Sequence, residues 1–253
     1  MTDVLASEWL KLRSARSTQW ILVSVMGLLA LCGFWALYVA HYWDGLSSTR
    51  HASFRAAPAE HPLVLAMPFC MGVLGALAIT PEYTTGTIRS SLAAVPRRTL
   101  FFGAKATAVT TTALSIALLS LIPAYFIGRM VVGDRPIADL RTPVSQELPW
   151  LLSVALSAMV ISAIGLGFGT LLRSTAGAVT AICALLFVLP ALAQLLPAPW
   201  NDRAASVLPP DLAEQLSGKT GSVLPPSVAL ATLVAYAALP LAAAIWVLRR
   251  RDV

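Results

Sequence analysis

The sequence predicts an all-α integral membrane protein. It has six transmembrane helices, an N-terminal amphipathic interfacial helix, and a short cytoplasmic helix between spans two and three. Three observations carry this. Charged residues make up 12% of the 253 positions, half the roughly 25% usual for soluble domains. Six apolar runs, at about 20–40, 62–80, 104–128, 149–172, 176–196 and 227–248, each approach the ~20 residues a helix needs to cross the hydrocarbon core. These runs are continuous rather than alternating, unlike barrel strands, so their backbone groups must find partners within helices. The whole chain, 1–253, reads as one transmembrane domain.

Residues 1–18 form the first element. In "VLASEWLKLRS", Leu5, Trp9 and Leu12 recur at helical spacing while Glu8, Lys11 and Ser14 take the other side. That pattern suits a helix in the headgroup layer; a solvated helical stub is the plainer alternative. The first span is too long for the apolar region of a cleaved leader, and acidic residues precede it.

Six spans put both termini on one side. That side carries eleven Lys and Arg residues, among them Lys11, Arg13, Arg97, Arg98, Lys105 and Arg249 to Arg251, against seven on the other. Basic residues favour the cytoplasm, so both termini are expected there. The basic balance marks orientation in the plasma membrane, not a nucleic-acid partner. Cys32, Cys70 and Cys183 all fall inside apolar runs, which leaves no disulfide framework or paired metal ligands.

The second run ends in "TPEYTTGTIRSSLAAVPRR", residues 80–98. Thr80 as a cap, Pro81 in the first helical position and Glu82 at the positive end of the dipole predict a short helix over 81–95, ended near Pro96. Gly86 costs such a helix about 1 kcal/mol relative to Ala, which suggests that something approaches its backbone. A polar turn with snorkelling arginines is the alternative. Pro123 and Pro190 are expected to kink spans three and five.

Several chemistries are excluded. Ser217-Gly-Lys-Thr220 resembles the end of a phosphate loop, but Ala213 stands where that loop needs glycine. Gly165, Gly167 and Gly169 lack the strand-turn-helix frame of a dinucleotide site and read as close helix packing. No apolar run contains His, Asp or Glu, which removes haem ligands, protease metal ligands and proton-relay carboxylates. No catalytic or metal site is expected. Polarity within the runs reduces to hydroxyls such as Thr107, Thr111 and Ser115, with Gln194 in span five. These either line a path for a substrate or bond back to their own helices.

At this point the residues match a known family. "SEWLKLRS", "PEYTTGTIRSSL", the tight turn "GLGFGTLLRSTAGA" and the arginine-ended last span resemble the permease subunit of ABC type-2 transporters, of the bacitracin and antibiotic-resistance exporter kind. The resemblance implies that residues 81–95 are a cytoplasmic coupling helix seated in a separate ATP-binding subunit. Glu82, Tyr83, Gly86, Thr87, Ile88 and Arg89 would then meet that subunit. Arg97 and Arg98 would meet its surface or lipid phosphate, and Arg173 and Ser174 would form a second contact. ATP and Mg would sit on the partner, and two permease copies, identical or paired, would complete the unit. Residues 197–226 would form short helices over the external mouth. The expected cargo is an amphiphilic drug-, peptide- or lipid-like molecule, moved outward. A non-transporting immunity or regulatory membrane protein is the competing reading.

Overall fold

The computed structural model describes residues 2–51, 53–95, 97–137, 140, 142–218 and 223–250. Pro96, Lys219, Thr220 and Arg251, named above, lie outside them. The elements in chain order are α1 (Thr2–Ser14), α2 (Arg16–Asp44), α3 (Ser48–His51), α4 (His61–Leu77), α5 (Thr80–Thr84), α6 (Thr87–Ala94), α7 (Arg98–Val132), α8 (Val144–Leu172) and α9 (Thr175–Cys183). A π-helical turn (Ala184–Val188) follows, then α10 (Leu189–Gln194), α11 (Trp200–Ser206), α12 (Pro209–Ser217) and α13 (Pro226–Arg250). No strand occurs among the described residues, and six helical stretches are long and apolar enough to cross a membrane. They match the six apolar runs and extend past most of their ends, because polar residues continue the helices once the hydrocarbon core is behind them.

The fourth span, α8, is the axis of the bundle: 78% of its apolar window is buried, against 17–50% for the others. Its tightest neighbour is α4, and glycine permits the approach. A Cβ on Gly75 would lie 1.9 Å from the Ser162 carbonyl oxygen, and one on Gly165 would lie 2.0 Å from that of Gly72. Gly167 makes room for Pro240 of α13 and Gly169 for Ile79. Small residues thus bring backbones together where lipid supplies no hydrophobic drive. Leu63, Met67, Met71, Leu74, Leu151 and Val154 fill the core around this contact.

Contacts across the bundle fix its two ends. One end gathers α1, α5, α6, the start of α7 and the last turn of α13, where Arg98 donates to the Leu248 carbonyl. The other carries α3, α11, α12 and the α7–α8 connection, held by a forked pair of 2.8 Å bonds from Arg135 to Asp44. There α12 packs on α8 and α13, burying Leu212 completely.

Several expectations change. The helix expected over 81–95 is two helices, broken at Gly86 with φ 72° and ψ 1°. Within this chain a Cβ there would meet nothing within 4 Å, and the left-handed conformation itself calls for glycine. Thr80 does not cap either. It is fully buried, and its hydroxyl accepts from Thr175 at 2.8 Å. On α1, Leu12 is buried with Leu5 beside it while Lys11 and Ser14 are exposed, as the spacing predicts; Glu8 departs from the polar face and is buried, because it has a cation waiting on α7. Of the two prolines, Pro123 leaves α7 continuous, whereas Pro190 follows the π-helical turn. That wider turn absorbs the hydrogen bond and the space that proline removes.

Candidate functional site

Four charged side chains meet at the end that carries α1. Lys105, on the second turn of α7, is 2% exposed. Its Nζ donates to Glu8 Oε2 at 2.5 Å, to Glu82 Oε1 at 2.9 Å and to the Ala78 carbonyl at 3.2 Å. Lys11 Nζ donates to Glu8 Oε1 at 2.7 Å, Glu82 Oε1 at 3.2 Å and Ser91 Oγ at 3.3 Å. A charge buried this deeply persists only when paired, and here three elements share the pairing. The Phe101 ring underlies both ammonium groups, 5.3 Å from Lys105 and 5.7 Å from Lys11. Burial alone would lower the pKa of Lys11. The hydrogen bond to Glu8 and the charge of Glu82 outweigh it, and the group titrates above its ordinary value of 10.5.

Beyond this cluster the chain turns outward. The Thr84 and Thr85 hydroxyls donate to the Pro81 carbonyl at 3.0 and 2.8 Å, closing the end of α5. Gly86 then reverses the backbone and α6 begins. Ile88 points inward, 2% exposed, while Thr84, Thr85, Gly86, Thr87 and Arg89 are all exposed. A buried foot under a polar rim makes this a braced projection. Beside it opens a recess of about 600 Å³ with Tyr83, Arg89 and Arg173 in its walls. Arg173 ends α8 in a left-handed conformation, φ 52°, and its guanidinium lies 5.2 Å from the Tyr83 ring centre. Next to it, Ser174 caps α9 by accepting from the Gly177 N–H at 3.3 Å.

The sequence-derived residues therefore divide. Tyr83, Gly86, Thr87, Arg89 and Arg173 border one projection and its recess. Glu82 turns inward to the two lysines, Ile88 is the anchor, and Arg97 is exposed nearby. Arg98 is held by the last turn of α13. Of the four hydroxyl and amide positions, Thr107, Thr111 and Ser115 follow one face of α7 at four-residue spacing, and Gln194 ends α10. The Thr107 hydroxyl donates to the Gly103 carbonyl at 2.9 Å, the back-bonding that makes threonine quiet within a helix. Among the described residues no group of three or more His, Cys, Asp or Glu side chains is placed to hold a metal ion.

Sequence reasoning missed the partnership of Glu8, Lys11 and Lys105. The available signal was a single lysine inside the start of an otherwise uncharged run. Intramembrane charge of that kind calls for a named partner.

A bundle of six apolar helices with a charged, braced projection at one end defines a polytopic membrane protein that presents a built surface outside the bilayer. The chain belongs to the ABC-2 family transporter proteins, whose family description matches residues 4–191 of the 253. It is accordingly a membrane-spanning permease component of an ABC transporter. The match takes in α1, the first four spans and most of the fifth. No curated protein matches the chain.

Proposed function

We propose that this permease carries an amphiphilic drug-, peptide- or lipid-like molecule out of the cell, driven by ATP hydrolysis on a separate ATP-binding subunit. The chain has no catalytic role of its own in this reading. ATP and Mg belong to the partner, and a second permease copy completes the unit. The α5–Gly86–α6 projection faces the cytosol and is the element the partner grips. One observation carries this: the exposed rim from Thr84 to Arg89 stands on Glu82, which is ion-paired to buried Lys105 at the start of a span. A push on the rim thus has a short, stiff route into α7. The energy comes from the difference in ATP affinity between open and closed states of the partner; the permease contributes geometry. The excess of basic residues at this end supports a cytosolic placement, with both termini inside.

The test is co-expression with the ATP-binding subunit. Arg89→Glu should insert and fold normally yet recover less partner and lose ATP-driven transport. If Arg89→Glu recovers and transports like the parent chain, the rim is not the grip. A parent chain that recovers no ATP-binding subunit would favour the non-transporting regulatory reading.

A further inference from the structure

The recess beside the projection carries charge of one sign. It opens between α5–Gly86–α6 and the turn from α8 to α9, and the charged residues in its wall are Arg89 and Arg173. Among the described residues no carboxylate lines it and no ion pair engages either arginine. Glu82, next to Tyr83 in the chain, is turned to Lys11 and Lys105. The two walls are joined: the Thr175 hydroxyl donates to Thr80 at 2.8 Å, and the Arg173 guanidinium lies 5.2 Å from the Tyr83 ring centre.

Arg173 is the unusual member. It holds a left-handed conformation, φ 52°, at a helix end where glycine is the ordinary choice, so the side chain is kept there at a conformational cost. Its Nε and Nη2 are covered and meet no acceptor among the described residues. The Tyr83 ring compensates the charge only weakly, and a half-buried cation without a counter-charge favours any anion that comes near. Arg89 is exposed at the mouth and is free to fork onto a carboxylate. A cleft lined by one sign of charge concentrates its field. Ile88, the aliphatic residue of the lining, is 2% exposed, so the recess offers no wall to an acyl chain and a lipid phosphate is the poorer occupant.

We infer that the recess receives one acidic side chain, Asp or Glu, of the ATP-binding subunit. The carboxylate meets the Arg89 guanidinium, and the uncompensated charge of Arg173 behind it draws it in. This rests on the proposed grip of the rim by that subunit and adds a second hold to it. Because Arg173 ends α8, a load on the carboxylate reaches the axis of the bundle as well as α7.

The test treats the complex of the two subunits with a zero-length carbodiimide, which joins an amine to a carboxylate in contact with it. Neither Lys11 nor Lys105 is in the recess wall, so Arg89→Lys places an amine there. That variant should gain one crosslink to an Asp- or Glu-bearing peptide of the ATP-binding subunit that the parent chain lacks. Arg89→Gln and Arg173→Gln should each weaken association of the subunits about tenfold, the size of one charge-assisted contact. Arg173→Lys should keep most of the affinity, since it keeps the charge. A complex that forms without the Arg89→Lys crosslink overturns the inference and leaves the proposed function standing. So does equal weakening by Arg173→Gln and Arg173→Lys, or a loss in the Gln variants seen only with anionic lipid present, which would assign the recess to a lipid phosphate. A parent chain that associates with no ATP-binding subunit overturns both.

Discussion

Lys105 and Glu8 meet at 2.5 Å with both side chains 3% exposed, although 97 residues separate them. The pair pins the N-terminal helix to the third span. Through Glu82 it also pins the segment that follows the second span. Removing Lys105 leaves two buried carboxylates, Glu8 and Glu82, to share the half-exposed Lys11, which costs more than the pair is worth. Lys105→Met should therefore destabilise the chain by about 3–5 kcal/mol. Adding Glu8→Gln to it should recover part of the loss. A double-mutant cycle on denaturant unfolding measures the coupling; additive effects would deny it.

Gly86 holds a left-handed backbone conformation, φ 72°. Gly86→Ala forces an L side chain into a left-handed conformation at a cost of about 1–2 kcal/mol, with no clash to relieve. The expected outcome is normal insertion and weaker recovery of the ATP-binding subunit. Loss of insertion would point to a role inside the bundle.

Helix contact at the axis is limited by backbone approach. A methyl group at Gly165 would sit 2.0 Å from the Gly72 carbonyl oxygen, whereas one at Gly103 would meet nothing. Gly165→Ala should lower the melting temperature through about 1–3 kcal/mol of overpacking. Gly103→Ala should leave it unchanged or raise it, since alanine is the better helix former.

Lys11 is the cluster member with a resolved titration outside the spans. Its pKa is raised in the folded chain, so its contribution is complete below the ordinary value of 10.5 and disappears as pH climbs through the folded value. The stability gap between the parent chain and Lys11→Gln should stay constant from neutral pH to about pH 10 and close above it. A gap that closes between about pH 7 and pH 9 would mean a different group governs it.

The spans were legible because continuous hydrophobicity is a local property, and the glycines of α8 were legible as contact points by their spacing. The ion cluster was not. Glu8 reads as one polar position on a short helix and Lys105 as a flanking charge, and nothing local says that they meet. The break at Gly86 was half legible: its helix penalty was visible, but its positive φ belongs to the turn as folded. The shared stripe of Thr107, Thr111 and Ser115 on α7 was legible from their four-residue spacing, whereas the place of Gln194 relative to it was not.

Sidedness decides whether the projection can meet a cytosolic partner. In a cysteine-free background, Ser90→Cys should react only after the membrane is breached, and Thr49→Cys should react in intact cells with an impermeant reagent. Both positions are exposed, so burial cannot imitate the result. The opposite pattern would invert the topology.

On the proposed function, a separate ATP-binding subunit grips the Thr84–Arg89 rim. A photoreactive residue at Thr85, in cells co-expressing both subunits, tests it most directly. A crosslink from Thr85 to the ATP-binding subunit, with none from the same probe at Thr49, is the predicted result. Crosslinking from Thr49 instead, or from neither position while the two subunits still purify together, contradicts it.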